Sequence, residues 1–387
     1  MHGSGATAPL LRRMNAQAVL DALLDEGTLS GAELMAATHL SRPTVHAVCD
    51  ELIARGWAVE LAARQPADAS RPGRRARVYG PRARAGYVLG IDMGATTVRA
   101  ALADLRGDVV AETGAAYRHD RVPADERIDA TRAAVAAVLD TAGAAPAQVL
   151  GGALGVPAPV HPAGHAVAVE HYLPGLAAVD LRTALAPLVG VPLLVENDAN
   201  LAVRAERWVG VAAGSDDAVL VLAGERLGAG VCLDGRILRG RHGATGEMGF
   251  LHLVEGVGDT DAVGNLARRW GAGVTGPAGR AEDVFAVARD GDRAALDVVD
   301  AVARRVGRAL AVLATLLDPE VLVVGGAVAE GADVLMGPLA RELARAAPAA
   351  RARLVPSTLA DRGVLLGAVK AALDDVRPRL LDLPAAG

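Results

Sequence analysis

Apolar and polar positions along residues 1–56 have the spacing of three short helices. Residues 14–24 place their apolar side chains on one side of a helix, which a glycine then ends. Residues 31–37 follow a Ser-x-x-Glu capping box, and residues 41–56 begin with a serine N-cap and a proline in the first turn. A tight turn joins the last two helices, so the pattern is typical of a helix-turn-helix.

The next apolar runs predict a two-stranded hairpin. Residues 57–61 and 77–79 alternate like short strands, and the loop between them is rich in Ala, Pro and Arg. Together with the helices they predict a winged helix-turn-helix, whose third helix enters the major groove of double-stranded DNA while the wing neutralises phosphates. The residues expected to contact DNA are Ser41, Arg42, Thr44 and His46 on the helix and Arg71, Arg74, Arg75 and Arg77 in the wing. The alternative is a protein-docking module whose arginine run is a solvated linker.

After residues 81–86 the pattern changes to buried strands that end in glycine-rich turns. A strand over residues 87–91 leads to Asp92 and a Gly/Thr turn, which can cradle phosphate through backbone amides while the Asp holds a hydrated Mg²⁺. D-x-G-x-T alone is a weak signal, because many hairpins carry such residues without a ligand. The repeated strands predict a two-lobed α/β domain with a ligand cleft between the lobes.

A second polar segment follows the strand predicted at residues 193–195. The sequence Glu-Asn-Asp-Ala-Asn at 196–200 then leads into a helix. Asp198, just beyond the C-terminal end of a buried strand, can hydrogen-bond a polyol or accept a proton from one. The alternative is an Asx-type turn in which Asn200 or Asp198 caps the helix.

Composition and charge narrow the function further. The chain has 387 residues, of which 52% are hydrophobic and only 2% aromatic, and this fits two to three packed α/β domains. The net charge of −5 argues against nucleic-acid binding when taken whole, but residues 1–85 carry +3 and the remainder carries −8. The N-terminal excess of arginine therefore favours a local DNA contact.

Cysteine usage and apolar runs bear on the compartment. Cys49 and Cys232 are too few for a disulfide framework, which indicates a reducing compartment. No export signal is visible, and the longest uncharged run, residues 141–160, contains prolines that would break a membrane-spanning helix. We expect a cytoplasmic protein with no membrane partner.

Six ordered motifs resemble the ROK family, which groups bacterial sugar kinases with sugar-responsive repressors. They are G-I-D-M-G-A-T-T (90–97), G-V-P-A-P-V (155–160), E-N-D-A-N (196–200), L-D-G-R-I-L-R-G (233–240), G-A-T-G-E-M-G (243–249) and D-P-E-V-L-V-V-G-G (318–326). The resemblance implies an actin-like, ribonuclease H-type ATPase fold. An N-terminal winged helix-turn-helix marks the family's repressor branch.

The resemblance also implies roles for individual residues. Asp198 matches the general base of the family's kinases. Sugar or ligand contacts are implied for Gly155, Asn197, Asp198 and Glu247. Phosphate contacts, in degenerate form, are implied for Asp92, Gly94, Thr96, Thr97, Gly224, Gly325 and Gly326.

Two departures from the family pattern change the expected chemistry. Where the kinases carry a Gly-Thr-Gly phosphate loop, this chain has Gly224-Glu225-Arg226, whose acid repels phosphate and whose arginine replaces a glycine. The family's structural zinc is held by a His and a cysteine cluster, but Phe250 replaces the His and no cysteine follows Cys232. We therefore expect no zinc or other metal, doubtful ATP and Mg²⁺ binding, and no active enzyme.

These observations predict a transcription regulator, expected to be a repressor, that binds operator DNA as a dimer or tetramer. A sugar or sugar-phosphate effector in the cleft would modulate it. The alternatives are an ATP-dependent sugar kinase with a fused DNA-binding module, and a regulator that docks to proteins only. The expected boundaries are a winged helix-turn-helix at 1–80, a linker at 81–86, a first lobe at 87–200, a second lobe at 201–375, whose last helix can pack back on the first, and a tail at 376–387.

Overall fold

The computed structural model describes the chain in seven stretches and two single positions. These are residues 8–62, 77–117, 122–161, 164, 166, 173–191, 193–224, 226–326 and 328–385.

The N-terminal unit combines three helices with a small antiparallel sheet. Its elements are α1 (Ala8–Glu26), β1 (Leu29–Ser30), α2 (Gly31–Thr38), α3 (Arg42–Ala54), β2 (Ala58–Leu61) and β3 (Val78–Pro81), and the strand order is β1-β3-β2. The predicted winged helix-turn-helix is confirmed. The structure adds β1, because Leu29 pairs with Tyr79, and α1 begins six residues earlier than its apolar spacing predicts.

Side-chain caps fix both helices of the helix-turn-helix. Ser30 Oγ accepts from the Glu33 N–H at 3.3 Å, and the Glu33 carboxylate accepts from the Ser30 N–H at 2.7 Å, which is the predicted capping box. Ser41 Oγ accepts from the Thr44 N–H at 3.5 Å at the start of α3. His39 makes the turn between the two helices with a left-handed φ of 56°.

The first lobe is built on a five-stranded sheet in the order β6-β5-β4-β7-β8. Its elements are β4 (Tyr87–Met93), β5 (Thr97–Asp104), β6 (Val109–Ala116), α4 (Ala124–Ala142), β7 (Val149–Val156), α5 (Leu181–Leu185) and β8 (Leu193–Asn197). Strands β4, β5 and β6 form an antiparallel meander, whereas β4, β7 and β8 are parallel. The carboxyl ends of β4 and β8 therefore reach the same edge of the sheet, where a ligand cleft is expected.

The second lobe repeats this arrangement with the strand order β11-β10-β9-β12-β13. Its elements are α6 (Asp198–Val209), β9 (Ala218–Ala223), β10 (Leu227–Leu233), β11 (Arg236–Ile237), α7 (Val263–Trp270), α8 (Ala272–Thr275), α9 (Ala281–Arg289), α10 (Arg293–Leu317), β12 (Val321–Gly325), α11 (Val328–Ala346), β13 (Arg353–Pro356) and α12 (Gly363–Val376). Strands β9, β10 and β11 are antiparallel, and β9, β12 and β13 are parallel. Two lobes with this shared strand pattern form the predicted actin-like fold.

Helix α12 returns from the second lobe to the first, where it packs on β4 and β7 and along α6. Glycines make this close packing possible. A Cβ on Gly90 would lie 2.9 Å from the Leu365 carbonyl oxygen, and a Cβ on Gly367 would overlap the carbonyl of Leu201 on α6. Helix α12 therefore joins α6, which begins at the cleft, to the first sheet.

The segments on either side of the lobes are ordered and packed. The sequence predicts a linker at 81–86 and a tail at 376–387, whereas Ala83–Ala85 and Arg377–Asp382 form 3-10 helices. Ala85, Leu380 and Leu381 are buried, and they join the core of the winged unit to the core beneath α12. Two leucines among charged residues give no helical period, so the sequence pattern could not reveal this contact.

Within the described residues, no helix is long and apolar enough to cross a membrane. Half of the uncharged run at 141–160 instead forms the end of α4 and the buried strand β7.

Candidate functional site

Asp198 and Asn197 lie where β8 passes directly into α6. Asn197 is the N-cap of α6, and its Oδ1 accepts from the Asn200 N–H at 3.2 Å. Its Nδ2 donates to the Ala158 carbonyl at 3.1 Å and to Asp198 Oδ1 at 3.1 Å, and the Ala199 N–H donates to the same Asp198 oxygen at 2.8 Å. The helix is capped as the alternative expected, but by Asn197 and not by Asn200 or Asp198, and the Asn197 amide also orients the Asp198 carboxyl.

The Asp198 carboxyl has a strongly perturbed acidity. Desolvation, assisted by the charges of Asp92 and Glu247, raises its pKa to about 7 against the hydrogen bond from the Ala199 N–H. Near neutral pH this carboxyl is present both protonated and ionised, so it can donate to or accept from a ligand hydroxyl. The electrostatic coupling also places the carboxyls of Asp92 and Glu247 near that of Asp198.

Asp92 ends β4 and is followed by the 94–97 turn, which comprises Gly94, Ala95, Thr96 and Thr97. Desolvation raises the pKa of Asp92 to about 7, while the positive charge of Arg99 opposes this rise. Arg99 is itself paired with Asp361, just before α12. Ala95 and Thr96 are exposed, so the turn presents backbone to the solvent side of the cleft.

Glu247 comes from the second lobe, in the loop that follows β11. It pairs with Gly228 of β10 in an isolated antiparallel bridge, and Gly246 before it adopts a φ of 88°. A Cβ on Gly246 would overlap the Ala229 carbonyl, so only glycine allows this approach. Desolvation raises the pKa of Glu247 and the charge of Arg226 lowers it, which places Arg226 near this carboxylate.

Gly155 has a position that differs from the predicted ligand contact. It lies in the middle of the first sheet, paired with Asp92 on β4 and with Glu196 on β8, and it is buried. A Cβ at this position would lie 2.7 Å from Val364 Cγ1 and 2.9 Å from Leu201 Cδ1. Gly155 therefore allows α12 and α6 to approach the sheet, and it lies beneath the cleft.

The glycines predicted to contact phosphate in the second lobe lie close together. Gly326 has a φ of 80°, and a Cβ on it would lie 2.9 Å from the Gly224 nitrogen. Gly325 is buried in β12 opposite Leu222. Glu225 lies outside the described residues. Arg226 is exposed, and its backbone forms an isolated antiparallel β-bridge with that of Asp261.

The sequence did not predict an ion pair between Arg239 and Glu196, which lies beside the cleft. Arg239 Nε donates to Glu196 Oε2 at 2.6 Å, and Asn200 Nδ2 donates to Glu196 Oε1 at 3.0 Å. Arg239 lies in the motif at 233–240, far along the chain from Glu196, so only the fold brings the two together. The pair links the loop that leads to Glu247 with the segment that holds Asp198.

No group of three or more His, Cys, Asp or Glu side chains that could hold a metal is found in the described part of the chain. His161 and His242 approach each other with ring centres 6.3 Å apart, and His252 Nδ1 contacts the Gly249 carbonyl at 2.6 Å. Phe250 packs against the core of the second lobe. The residues present therefore do not fit the family's structural zinc.

The winged unit places the predicted DNA contacts of α3 in different environments. Ser41 and Arg42 are exposed at the N-terminus of α3, whereas Thr44 and His46 are partly buried. His46 Nδ1 lies 2.6 Å from Tyr79 Oη, so its ring joins α3 to the wing strand β3. Arg42 is therefore the predicted contact most open to a groove.

The wing arginines are described only in part. Arg71, Arg74 and Arg75 lie outside the described residues. Arg77 donates to Asp50 at 2.5 Å and to Glu60 at 2.7 Å, and its guanidinium lies 5.2 Å from the centre of the Tyr79 ring. The charge of Arg77 is therefore compensated within the unit, where it ties the wing to α3.

Two family models match the chain. A model of the ROK family matches residues 88–375, and a model of the MarR family matches residues 16–69. The first covers well over half of the chain, and the second covers most of the winged unit.

Relatives of two kinds align with the chain. The xylose repressor of Caldicellulosiruptor bescii is 24% identical over 399 residues, which cover 95% of this chain and 97% of the repressor. A glucokinase of Halalkalibacterium halodurans is 33% identical over 218 residues, which cover 48% of this chain and 66% of the kinase. A crystal structure of a ROK family transcriptional regulator, a homolog of the E. coli MLC protein, superimposes with a TM-score of 0.72 at 23% identity and covers 97% of this chain and 100% of that one. This xylose repressor thus aligns along nearly the whole chain, and this glucokinase aligns with about half of it.

Proposed function

This chain belongs to the ROK family, and we propose that it is a DNA-binding transcription regulator, a repressor, modulated by a sugar or sugar-derived ligand in the cleft. The observation that carries the proposal is the alignment with a xylose repressor over nearly the full length of both chains. A second support is the winged unit, which is matched separately by the MarR family model.

In the proposed DNA complex the N-terminus of α3 enters the major groove. Ser41 and Arg42 are exposed there, and arginine is the residue most often used to read guanine in that groove. Arg71, Arg74 and Arg75 would contact phosphates from the wing, while Arg77 and His46 would hold the wing against α3. A two-fold dimer, or a tetramer of such dimers, would read a palindromic operator.

Ligand control requires a path from the cleft to the winged unit. Asp198 begins α6, α6 packs along α12, and α12 continues into the residues that contact α1. At that contact Gln17 donates to the Arg377 carbonyl at 3.1 Å, and Arg377 pairs with Asp25 at 2.6 Å. A ligand that favours one arrangement of the lobes would shift the winged unit by its differential affinity for the two arrangements.

We propose that the kinase site is degenerate and that the protein is not an enzyme. Glu225 would repel a nucleotide phosphate, and Arg226 stands where the kinases have glycine. No resident cofactor is proposed. The protein would act in the cytoplasm, where its operator is found.

The second candidate function is a sugar kinase fused to a DNA-binding module. It is favoured by Asp198 and Asp92, whose carboxyls have pKa values of about 7, and by the glucokinase relatives. A coupled assay for ADP release decides between the two. We expect no sugar-dependent release above that of Asp198→Asn, and release well above this variant would establish the kinase.

DNA recognition is tested by selecting fragments of genomic DNA with the full-length protein and measuring their affinity against salt concentration. We expect a palindromic site whose affinity falls with salt. Arg74→Ala and Arg75→Ala should each reduce the salt slope by about 1, and Arg42→Ala should relax sequence preference. Unchanged slopes together with no selected site would favour the protein-docking alternative. Arg132→Ala, on the exposed face of α4, is the matched control.

A further inference from the structure

The loop at residues 249–261, which follows Glu247, is the segment in which the family resemblance places zinc ligands. In this chain Phe250 stands at the position of the zinc-binding His, and the 249–261 loop contains no cysteine. Leu251 and Val257 are buried in the core of the second lobe, whereas most other residues of the loop are exposed. Two fully buried side chains are few for a loop of this length, so its order depends on further contacts.

Arg305 on α10 holds the end of the 249–261 loop. Its Nη2 donates to the Asp259 carbonyl at 3.2 Å and also to the Asp259 carboxylate. Its guanidinium carbon lies 5.8 Å from the centre of the Trp270 ring on α7, and 10% of its side chain is exposed. Desolvation lowers the pKa of Arg305, yet a guanidinium keeps its proton when it is buried, so the contact with Asp259 remains an ion pair.

Arg308 lies one helical turn beyond Arg305 and holds the middle of the 249–261 loop. Its Nη1 donates to the Glu255 carbonyl at 2.7 Å, and its Nε donates to Glu342 Oε1 on α11 at 3.2 Å. Gly256 adopts a φ of 76°, and a Cβ on it would overlap Arg308 Nη1. The glycine therefore allows the guanidinium to reach the backbone of the loop.

The flanks of the 249–261 loop are bonded to residues of the candidate site. Glu247 lies just before the loop and pairs with β10 in an isolated bridge. At the other end the Leu227 N–H donates to the Thr260 carbonyl at 2.8 Å, and the Gly264 N–H donates to the Gly224 carbonyl at 2.9 Å. A displacement of the loop would therefore move both Glu247 and the glycine turn after β9.

We propose that Arg305 and Arg308 replace the family's structural zinc as the groups that hold the 249–261 loop, and that they are positioning residues for Glu247. They lie three residues apart on one face of α10 and bind two backbone carbonyls and one carboxylate of the loop. Arginine suits this role, because its planar guanidinium carries several donors in a fixed geometry. The consequence for ligand binding rests on the proposed function, in which Glu247 is a sugar contact.

Hydrogen–deuterium exchange of the full-length protein, measured by mass spectrometry, tests whether the arginines hold the loop. Arg305→Met and Arg308→Met should each speed exchange in residues 244–261 and 224–228 by about tenfold, because each variant loses charge-assisted hydrogen bonds. The winged unit and the first lobe should exchange as in the wild type. Arg304→Met, on the exposed side of the same helix, is the control and should leave exchange unchanged.

Three outcomes of this measurement would contradict the proposal. Exchange in the loop no faster than in Arg304→Met would show that the arginines do not hold it. Exchange raised equally along the whole chain would show a general loss of stability. Faster exchange confined to residues 249–261, with residues 244–248 unaltered, would contradict the positioning of Glu247.

A pair of glycine variants keeps the test valid if an arginine variant fails to fold. Gly256→Ala should displace the Arg308 guanidinium from the Glu255 carbonyl while both arginines remain in the chain. Gly258→Ala is the matched control, because Gly258 has a similar φ of 85° but open space around its Cβ. Both variants bear the strain of a left-handed alanine, so faster loop exchange in Gly256→Ala than in Gly258→Ala is expected. Equal exchange in the two would refute the role of Arg308.

Replacement of zinc by arginine also predicts that the loop is insensitive to chelators. Zinc measured by mass spectrometry of the purified full-length protein should be well below about one ion per chain, and EDTA should alter neither loop exchange nor the melting temperature. About one zinc per chain, removed by EDTA with faster exchange in the 249–261 loop, would overturn the proposal.

Operator affinity is measured on the same proteins without ligand, so that two kinds of failure can be told apart. An absence of operator binding by the wild type would refute the proposed function, whereas the exchange measurement would still decide the role of the arginines. Normal operator binding together with an unaltered loop in Arg305→Met and Arg308→Met would refute the role of the arginines alone.

Discussion

Asp198 shows how a single residue serves two purposes in this cleft. Its backbone begins α6, where the Ala199 N–H favours the ionised carboxylate, yet desolvation dominates and raises the pKa to about 7. Asn197 beside it is occupied by the Ala158 carbonyl and by Asp198 itself. The pair is therefore organised before any ligand binds, which reduces the entropy that a ligand must lose for them.

The raised pKa of Asp198 predicts a pH-dependent stability. The folded protein retains a proton that the unfolded chain, with a pKa near 3.8, releases, so this group favours folding less as pH rises from about 4 to 7. Asp198→Asn should raise the free energy of unfolding at pH 8 by about 1–3 kcal/mol and change it little at pH 4. Urea unfolding at both pH values measures this. An equal change at the two pH values would show that the carboxyl is not the cause.

Arg239 predicts a second residue-scale effect. Glu196 is nearly buried, with 12% of its side chain exposed, and Arg239 is its only cationic partner among the described residues. Arg239→Leu should lower the free energy of unfolding by about 1–3 kcal/mol, because a buried carboxylate loses its counter-charge. Arg236→Leu, on the exposed edge strand β11, should change stability by less than about 0.5 kcal/mol. Similar losses in both variants would contradict a special role for the pair.

At the scale of elements, local chemistry decided how much the sequence could predict. The capping box at Ser30 and the N-cap at Ser41 placed α2 and α3 within about two residues, because both signals act within one turn. Strand β1 and the 3-10 helix Arg377–Asp382 were not predictable, since their residues are ordered by partners far along the chain.

The candidate site, like the secondary structure, was predictable only in part. Asp198 and Glu247 were identified from motifs, and their carboxyls lie near enough for the charge of Glu247 to raise the pKa of Asp198. Arg239 was not identified, because it acts on Glu196, which only the fold brings near. Gly155 lies in the buried strand β7, where it packs against α12 and α6. A motif does not show which neighbours a strand residue packs against, so this role was not predicted.

The packing of α12 on α6 predicts a pair of opposite glycine effects. Gly367→Ala should lower the free energy of unfolding by about 2 kcal/mol or more, because its Cβ would overlap the Leu201 carbonyl. Gly363→Ala, at the first residue of α12 with no atom nearer than 3.8 Å to its Cβ, should raise stability by about 0.5 kcal/mol. Thermal and urea unfolding of the two variants check this. A stable Gly367→Ala protein would show that α12 and α6 can separate.

At the scale of the whole molecule, the C-terminal residues connect the two functional parts. Arg377 pairs with Asp25 and donates to the Leu105 carbonyl, and so joins α1 to the first lobe. Arg55 on α3 contacts the Leu381 carbonyl, so the helix proposed to read DNA is attached to the same segment. The segment that makes these contacts, Arg377–Asp382, follows α12 directly in the chain, so it leads from α12 to the winged unit.

Loss of the Arg377 contacts should remove the effect of the ligand on DNA binding, while ligand binding and DNA binding themselves persist. Arg377→Ala is expected to retain operator binding within about threefold of the wild type while losing most of its response to the effector. Arg379→Ala is the matched control, because Arg379 contacts Asp375 and the Leu150 carbonyl within the first lobe. Operator affinity with and without effector measures the coupling. Equal responses in the two variants would place the coupling elsewhere.

The most direct test of the account is the affinity of the full-length protein for its selected operator, measured while sugars and sugar monophosphates are added one at a time, with ADP release followed in parallel. We predict that at least one of these ligands changes operator affinity by about tenfold or more and that no sugar-dependent ADP is formed. Operator affinity unaltered by every ligand, accompanied by sugar-dependent ADP release, would contradict the account and establish a kinase.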